Sequence, residues 1–269
     1  MVFPTLSEVI FPVVILVVGV LVVYLLSKAL KLCPKPITIS NPRKEATIAL
    51  LAFLIVLAAT FALIFFYHAV FNPAFQLDKR PPFTVDTINV LWAASFYVTW
   101  IIPLGIAMKI TNQNRESIGI TRENLGRSLA LGFVLSAIFI TVSGLLAPSL
   151  GGGFKEFSAS LAYGLIVYAI LGYGEEVVFR GYIQTRLTAY SGTIKGWILA
   201  SLLFALIHFP KYYFIFPGAV LDASVHTLLR FPTGLLLGYI MLRSQNLNAP
   251  SIFLLFIHWS PLLWQIPFT

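Results

Sequence analysis

Long apolar runs alternate with short polar connectors along the chain, and eight of the runs approach or exceed the length a bilayer demands. A membrane-spanning helix needs about 20 predominantly apolar residues. Such stretches cover residues 9–26, 46–71, 88–108, 125–150, 157–179 continuing towards 186, 196–209, 219–242 and 250–268, the sixth being the shortest. The pattern predicts an all-α polytopic membrane protein of about eight transmembrane helices, with residues 1–269 forming one membrane domain. The first run has neither a cationic leader nor a small-residue cleavage site, so it is expected to stay as the first span.

Composition agrees. Of 269 residues, 58% are hydrophobic and only 10% charged, with a mean hydropathy of +0.89. Soluble chains are about 45–50% apolar and about 25% charged, which excludes a water-soluble globule, a nucleic-acid-binding domain and a disordered regulator. The net charge of +8 therefore bears on membrane topology and anionic lipid rather than on DNA or RNA. One cysteine, Cys33, allows neither an internal disulfide nor a thiolate metal cluster.

Lysines and arginines orient the chain, because cytoplasmic loops carry the excess of both. Connectors after the odd-numbered spans hold Lys28, Lys31, Lys35, Arg43, Lys44, Lys109, Arg115, Arg122, Arg127, Arg186, Lys195 and Arg243. Those after the even-numbered spans hold only Lys79, Arg80, Lys155 and Lys211. The first set is expected in the cytoplasm and both termini outside, in the cell membrane. Residues 115–127 are expected to form a short amphipathic helix with Ile118, Ile120 and Leu125 towards lipid.

A charge inside a span is costly, so each marks a functional candidate. Four remain once the loops are set aside: Glu175, Glu176, Arg180 and Arg230; Asp222 sits near a helix end. Glu176 and Arg180 are four residues apart and pair on one helix face, whereas Glu175, rotated about 100°, needs a partner of its own. His68 and His226 fall near outer helix ends, and Asp222, His226 and Arg230 form a polar face at helical spacing. His208 and His258 interrupt apolar runs. At 1.5 Å per residue, Glu175, His208 and His258 lie roughly 16, 20 and 13 Å from the cytoplasmic side. Three groups on three helices at one level are what an active site requires.

The chemistry is narrowed by what is missing. There is no HExxH and no GxSxG. Gly172-Tyr173-Gly174-Glu175 is superficially similar to the glycine-flanked aspartate of presenilin-like proteases, but that chemistry needs two aspartates, and Asp78, Asp86 and Asp222 are in no comparable setting. A glutamate with a histidine can hold and deprotonate a water, and a second histidine can donate to the oxyanion of a tetrahedral intermediate.

These residues carry a family resemblance. Glu175-Glu176-x3-Arg180 resembles the EExxxR motif of the type II CAAX prenyl protease and bacteriocin-processing (Abi/CPBP) intramembrane proteases. Phe204-x3-His208 resembles their FxxxH motif, and the stretch from Phe231 to His258 resembles the helix–loop–helix ending in their third motif. The likeness is strongest over residues 116–262. It implies a glutamic endopeptidase that needs no cofactor or metal and removes a C-terminal tripeptide from prenylated proteins at the membrane. By position, Glu175 and His208 would activate water, His258 would bind the oxyanion, and Glu176 with Arg180 would support the site. Arg230, Leu262 and Phe204 are assigned to substrate binding. Leu262 stands where the CAAX-processing branch has asparagine, and Gln265, on the same helix face as His258, is another candidate donor. Membrane lipid and a protein or peptide substrate are the expected partners, with no nucleic acid. The competing readings are a zinc protease using Glu175, His208 and His258 as ligands, and a non-catalytic immunity or scaffold protein. A transporter would show paired repeats, which the chain lacks. Gly234-x3-Gly238 is expected to be a helix-packing surface without chemistry.

Overall fold

A computed structural model describes residues 6–32, 35–71, 87–146, 153–154, 159–216 and 219–264. Cys33, Asp78, Lys79, Arg80, Asp86, Lys155 and Gln265, to which the sequence reading assigned places, lie outside them. The protein is an all-α polytopic membrane protein. Its helices are α1 (Leu6–Ala29), α2 (Pro42–Phe66), α3 (Thr87–Ile110), α4 (Leu125–Leu146), α5 (Ala159–Glu176), α6 (Thr185–Ser191), α7 (Thr193–Leu206), α8 (Phe209–Ile215), α9 (Val220–Leu228), α10 (Phe231–Ser244) and α11 (Asn248–Trp259). Among the described residues, six helical segments are long and apolar enough to cross a bilayer, and Ala94–Ile110 and Asn248–Leu263 are shorter apolar helices. The eight apolar runs of the sequence correspond to these six segments and the two shorter helices.

The short sixth run gains its length from a restart. Pro210 lies in the first turn of α8, where its missing N–H costs no hydrogen bond, and α7 with α8 makes one crossing over Thr193–Ile215. The seventh run is likewise two helices, α9 and α10, parted at Leu229–Arg230, with Pro232 in the first turn of α10. Between α5 and α6 the backbone widens into a π-helix over Val177–Gln184. A 3.6-residue period hides all three breaks, because each run stays apolar through its break.

α11 packs between α4 and α5, α10 packs on α1 and α7, and α3 bridges α2 and α5. Gly234 and Gly238 form the packing surface expected of them. A Cβ at Gly234 would stand 2.9 Å from the Ser201 carbonyl oxygen, and one at Gly238 would stand 2.6 Å from the Trp197 ring. The contact is locked by Trp197 Nε1 donating to Leu235 O at 2.9 Å and Gln184 Nε2 donating to Gly238 O at 2.9 Å.

Residues 115–127 do not form an amphipathic helix on lipid. Arg115–Ile118 is one 3-10 turn capped by Asn114, and Ile118 is buried in the core. Ile120 is half-buried, and only Leu125 of the expected apolar face is exposed. The segment is tied inward. Leu247 N donates to Gly119 O at 2.9 Å, and Asn246 Nδ2 donates to the carbonyls of Thr121 and Glu123.

Arg186, counted above as a loop cation, is fully buried. Its Nε donates to Glu45 Oε2 at 3.4 Å, Nη1 to Ser117 O at 2.7 Å and Nη2 to Ser117 Oγ at 2.8 Å, while the guanidinium lies 4.3 Å from the Tyr182 ring centroid. Glu45 also accepts from Gln113 Nε2 at 2.7 Å. The cluster holds α2, the α3–α4 connector and α6 together.

Candidate active site

Glu175, His208, Arg230, Leu262 and His258 all line one cavity of about 940 Å³. Four of them stand at discontinuities of the helices that carry them. Glu175 is the penultimate residue of α5 before the π-helix. His208 lies between α7 and α8, Arg230 between α9 and α10, and His258 one residue before α11 ends. Non-helical or widened backbone at membrane depth is tolerated where it lines a cavity, and π-turns inside helices concentrate at functional sites.

The glycines before Glu175 have a packing role. A Cβ at Gly172 would stand 3.3 Å from the Leu255 nitrogen, and one at Gly174 would collide with the Tyr97 ring. Gly172 thus brings α11, which carries His258, against α5. Gly174 brings Tyr97 of α3 to the cavity wall beside Glu175.

Among the described residues Glu175 forms no ion pair, and its buried Oε2 accepts no hydrogen bond from the protein. The partner expected for it is absent among the described residues. Buried carboxylate oxygens are nearly always satisfied, so an unengaged one on a cavity wall is free to hold a water. His208 is prepared in a complementary way. Its Nδ1 lies 2.9 Å from Phe204 O. A carbonyl only accepts, so Nδ1 carries the proton and Nε2 keeps its lone pair. His258 also lines the cavity, its ring centroid 5.9 Å from that of Tyr168. The end of α11 is fastened by Trp259 Nε1 donating to Leu161 O at 2.8 Å.

Glu176 and Arg180 are both fully buried and pair at 3.5 Å, as their spacing predicts. The Arg180 guanidinium also sits 4.2 Å from the centroid of the Phe204 ring. Phe204 is therefore behind the wall rather than on it: it is buried, supports Arg180, and meets the His208 ring edge-on at 5.1 Å. Leu262 is on the wall, in a 3-10 turn, opposite Gly164, where a Cβ would lie 2.8 Å from Leu262 Cδ1.

Arg230 does not pair with Asp222 or Glu176 among the described residues; its Nε donates to the Tyr212 hydroxyl at 2.7 Å. His226 stays off the wall, with Nδ1 donating to Asp222 O at 2.8 Å and its ring against Phe216. Two groups set aside in the sequence do reach the cavity: Lys211 and His68. Lys211 follows His208 at i+3, a same-face spacing, but Pro210 between them made a loop the natural reading. His68 sits on the π-helical extension of α2 and stacks on Phe214 at 5.2 Å.

Residues 157–260 match the family model described as Rce1-like, type II CAAX prenyl endopeptidase. That segment runs from the start of α5 to just past α11 and contains both motif glutamates, Arg180, His208, Arg230 and His258, but not Leu262. No curated protein and no solved structure matches the chain.

Proposed function

We propose, for a chain that belongs through residues 157–260 to the CAAX/CPBP family of membrane endopeptidases, that Glu175 and His208 activate a water to hydrolyse a peptide bond within the membrane. The observation that carries this reading is a carboxylate with an unengaged oxygen sharing a cavity with a histidine whose Nε2 lone pair is free. His208 Nε2 accepts a hydrogen bond from the water, and Glu175 takes its proton as the water oxygen bonds to the carbonyl carbon. His258 donates to the oxyanion. When the C–N bond breaks, Glu175 returns the proton to the leaving amine, so the carboxylate is regenerated. Glu176 and Arg180 hold the end of α5 in place.

The zinc reading needs three ligands converging on one ion. Among the described residues no three His, Cys, Asp or Glu side chains are so arranged, which favours the water mechanism. Incubating the purified protein with a farnesylated CAAX peptide, with and without chelator, and weighing the products tests both points. Release of a C-terminal tripeptide unaffected by chelator is expected. Loss of cleavage on chelation, restored by zinc, selects the metalloenzyme.

Arg230 is proposed to receive the carboxylate at the substrate's C-terminus through a charge-assisted bond. Arg230→Gln should raise KM by about tenfold or more for peptides with a free C-terminus, since a hydrogen bond to a charged group contributes about 1.5–3 kcal/mol, and much less for amidated ones. Equal effects on both peptides leave Arg230 only its bond to Tyr212. Leu262 makes a separate test. One oxyanion donor is worth about 10²–10³ in kcat, and Leu262→Asn would add an amide to the wall near His258. An increase in kcat is expected, and an unchanged kcat takes this position out of the mechanism.

A further inference from the structure

We infer that the hydroxyl of Tyr168 is a second donor to the oxyanion, acting beside His258 on the same tetrahedral intermediate. The inference rests on the hydrolytic reading above and adds to it a catalytic residue that no motif of the sequence marks.

α5 and α11 pack antiparallel in one register. Along α5 towards Glu175, Gly164 comes first, and a Cβ there would stand 2.8 Å from Leu262 Cδ1. One turn on, the Tyr168 ring meets the His258 ring at a centroid distance of 5.9 Å and an interplanar angle of 59°. A further turn brings Gly172 against Leu255, where a Cβ would stand 3.3 Å from the backbone nitrogen. Trp259 Nε1, donating to Leu161 O at 2.8 Å, pins this register at the end away from Glu175. Tyr168 is thus held beside His258 by the packing of two helices, within a stretch, Ile166–Ile170, that is otherwise apolar.

Both rings share the cavity with Glu175. Gly164, Tyr168, Leu171 and Glu175 all line it, and their spacing of four, three and four residues is one face of a helix. α11 and the turn after it give the wall Ile257, His258, Pro261 and Leu262, of which only His258 has a polar side chain. Among the described residues the Tyr168 hydroxyl has no hydrogen-bond partner, and neither has either ring nitrogen of His258. A tyrosine hydroxyl withdrawn from water usually finds a partner in the protein. One on a cavity wall without a partner is free to serve the substrate.

The spacing suits the reaction. The base acts on the scissile carbon through the water, and the donors act through the carbonyl oxygen on the other side. Two hydrogen bonds of about 2.8 Å, a water-to-carbon approach of about 3 Å and one carbonyl bond together span roughly 10 Å. Tyr168 precedes Glu175 by seven residues, which is two turns or roughly 10 Å along α5. Side chains on a helix lean towards its N-terminus, so both lean the same way and the separation is kept. As water attacks, the carbonyl oxygen gains charge and accepts from Tyr168 O–H and His258 N–H. When the C–N bond breaks the carbonyl re-forms, and both donors keep their protons.

Tyr168→Phe tests the assignment, because it removes the hydroxyl and keeps the ring against His258. With the farnesylated CAAX peptide, kcat should fall about 10²–10³-fold, the value of one oxyanion donor. KM and thermal unfolding in detergent should match the parent. Binding supplies a readout that a packing role would not move. The same peptide with a phosphinate in place of the scissile bond mimics the tetrahedral oxyanion, and such mimics bind through contacts made in the transition state. Tyr168→Phe should weaken phosphinate binding by a factor similar to the loss in kcat. Affinity for the intact peptide, compared between Glu175→Gln and the Glu175→Gln, Tyr168→Phe double variant, should not change. Leu262→Asn should restore part of the lost kcat, with a larger gain in Tyr168→Phe than in the parent. Cleavage by Tyr168→Phe at the parental kcat, or equal weakening of the intact peptide and the phosphinate, overturns the inference and leaves the hydrolytic reading standing. A lowered unfolding temperature in Tyr168→Phe means that the hydroxyl is committed to the protein, and overturns it as well. A parent protein that cleaves no peptide removes the hydrolytic reading, and the inference falls with it.

Discussion

Glu175→Gln is expected to lower kcat by about 10²–10⁴-fold, the usual contribution of a positioned general base, while the protein remains as stable as the parent. Both halves follow from the same observation. The Glu175 Oε2 accepts no hydrogen bond from the protein, so exchanging the carboxylate for an amide of the same size leaves no protein donor orphaned. What is lost is the capacity to take a proton from water. Glu176 differs, because it is fully buried and paired to Arg180. Its replacement leaves a guanidinium without its counter-charge and should reduce stability along with rate. The measurement is single-turnover cleavage alongside thermal unfolding in detergent. Glu175→Gln turning over near the parent rate would move the base elsewhere. A large loss of stability would mean that the carboxylate is structural.

The second large effect concerns stability, at the other end of the molecule. Arg186→Met should destabilise the fold by about 3–5 kcal/mol, the cost typical of removing one member of a buried ion pair. The variant leaves Glu45 with Gln113 as its remaining partner and deprives both the carbonyl and the hydroxyl of Ser117 of their donor. Replacing both charges with apolar side chains, Arg186→Met with Glu45→Leu, should recover part of the loss, since it is the uncompensated charge that is costly. Denaturant or thermal unfolding in detergent measures each variant. If Arg186→Met unfolds within about 1 kcal/mol of the parent, the cluster does not hold α2, α6 and the α3–α4 connector together. The hydrogen-bond and ring partners of Arg186 include none of the residues assigned to the reaction, so the part of the Arg186→Met population that remains folded should cleave at the parental kcat.

The membrane class, the helical architecture and the short list of site candidates were legible in the sequence for one physical reason. Charge and imidazole are costly in hydrocarbon, so Glu175, Glu176, Arg180, Arg230, His208 and His258 stand out against the runs that contain them. Their levels along the helices followed from a constant rise per residue, and all of these except the Glu176–Arg180 pair meet at one cavity. Tertiary structure alone decided the rest. The breaks beside His208 and Arg230, and the π-turn after Glu175, lie in continuous apolar runs, and at the two breaks the backbone stays bonded locally, with His208 N donating to Ala205 O and Arg230 N to Thr227 O. Lys211 and Arg186 both looked like loop cations. One lies on the cavity wall because α8 restarts after Pro210, and the other is buried because Glu45, 141 residues away, meets it. Local pattern registers the cost of a charge in an apolar run, but the partner that offsets a charge from a distant helix exists only once the helices have packed.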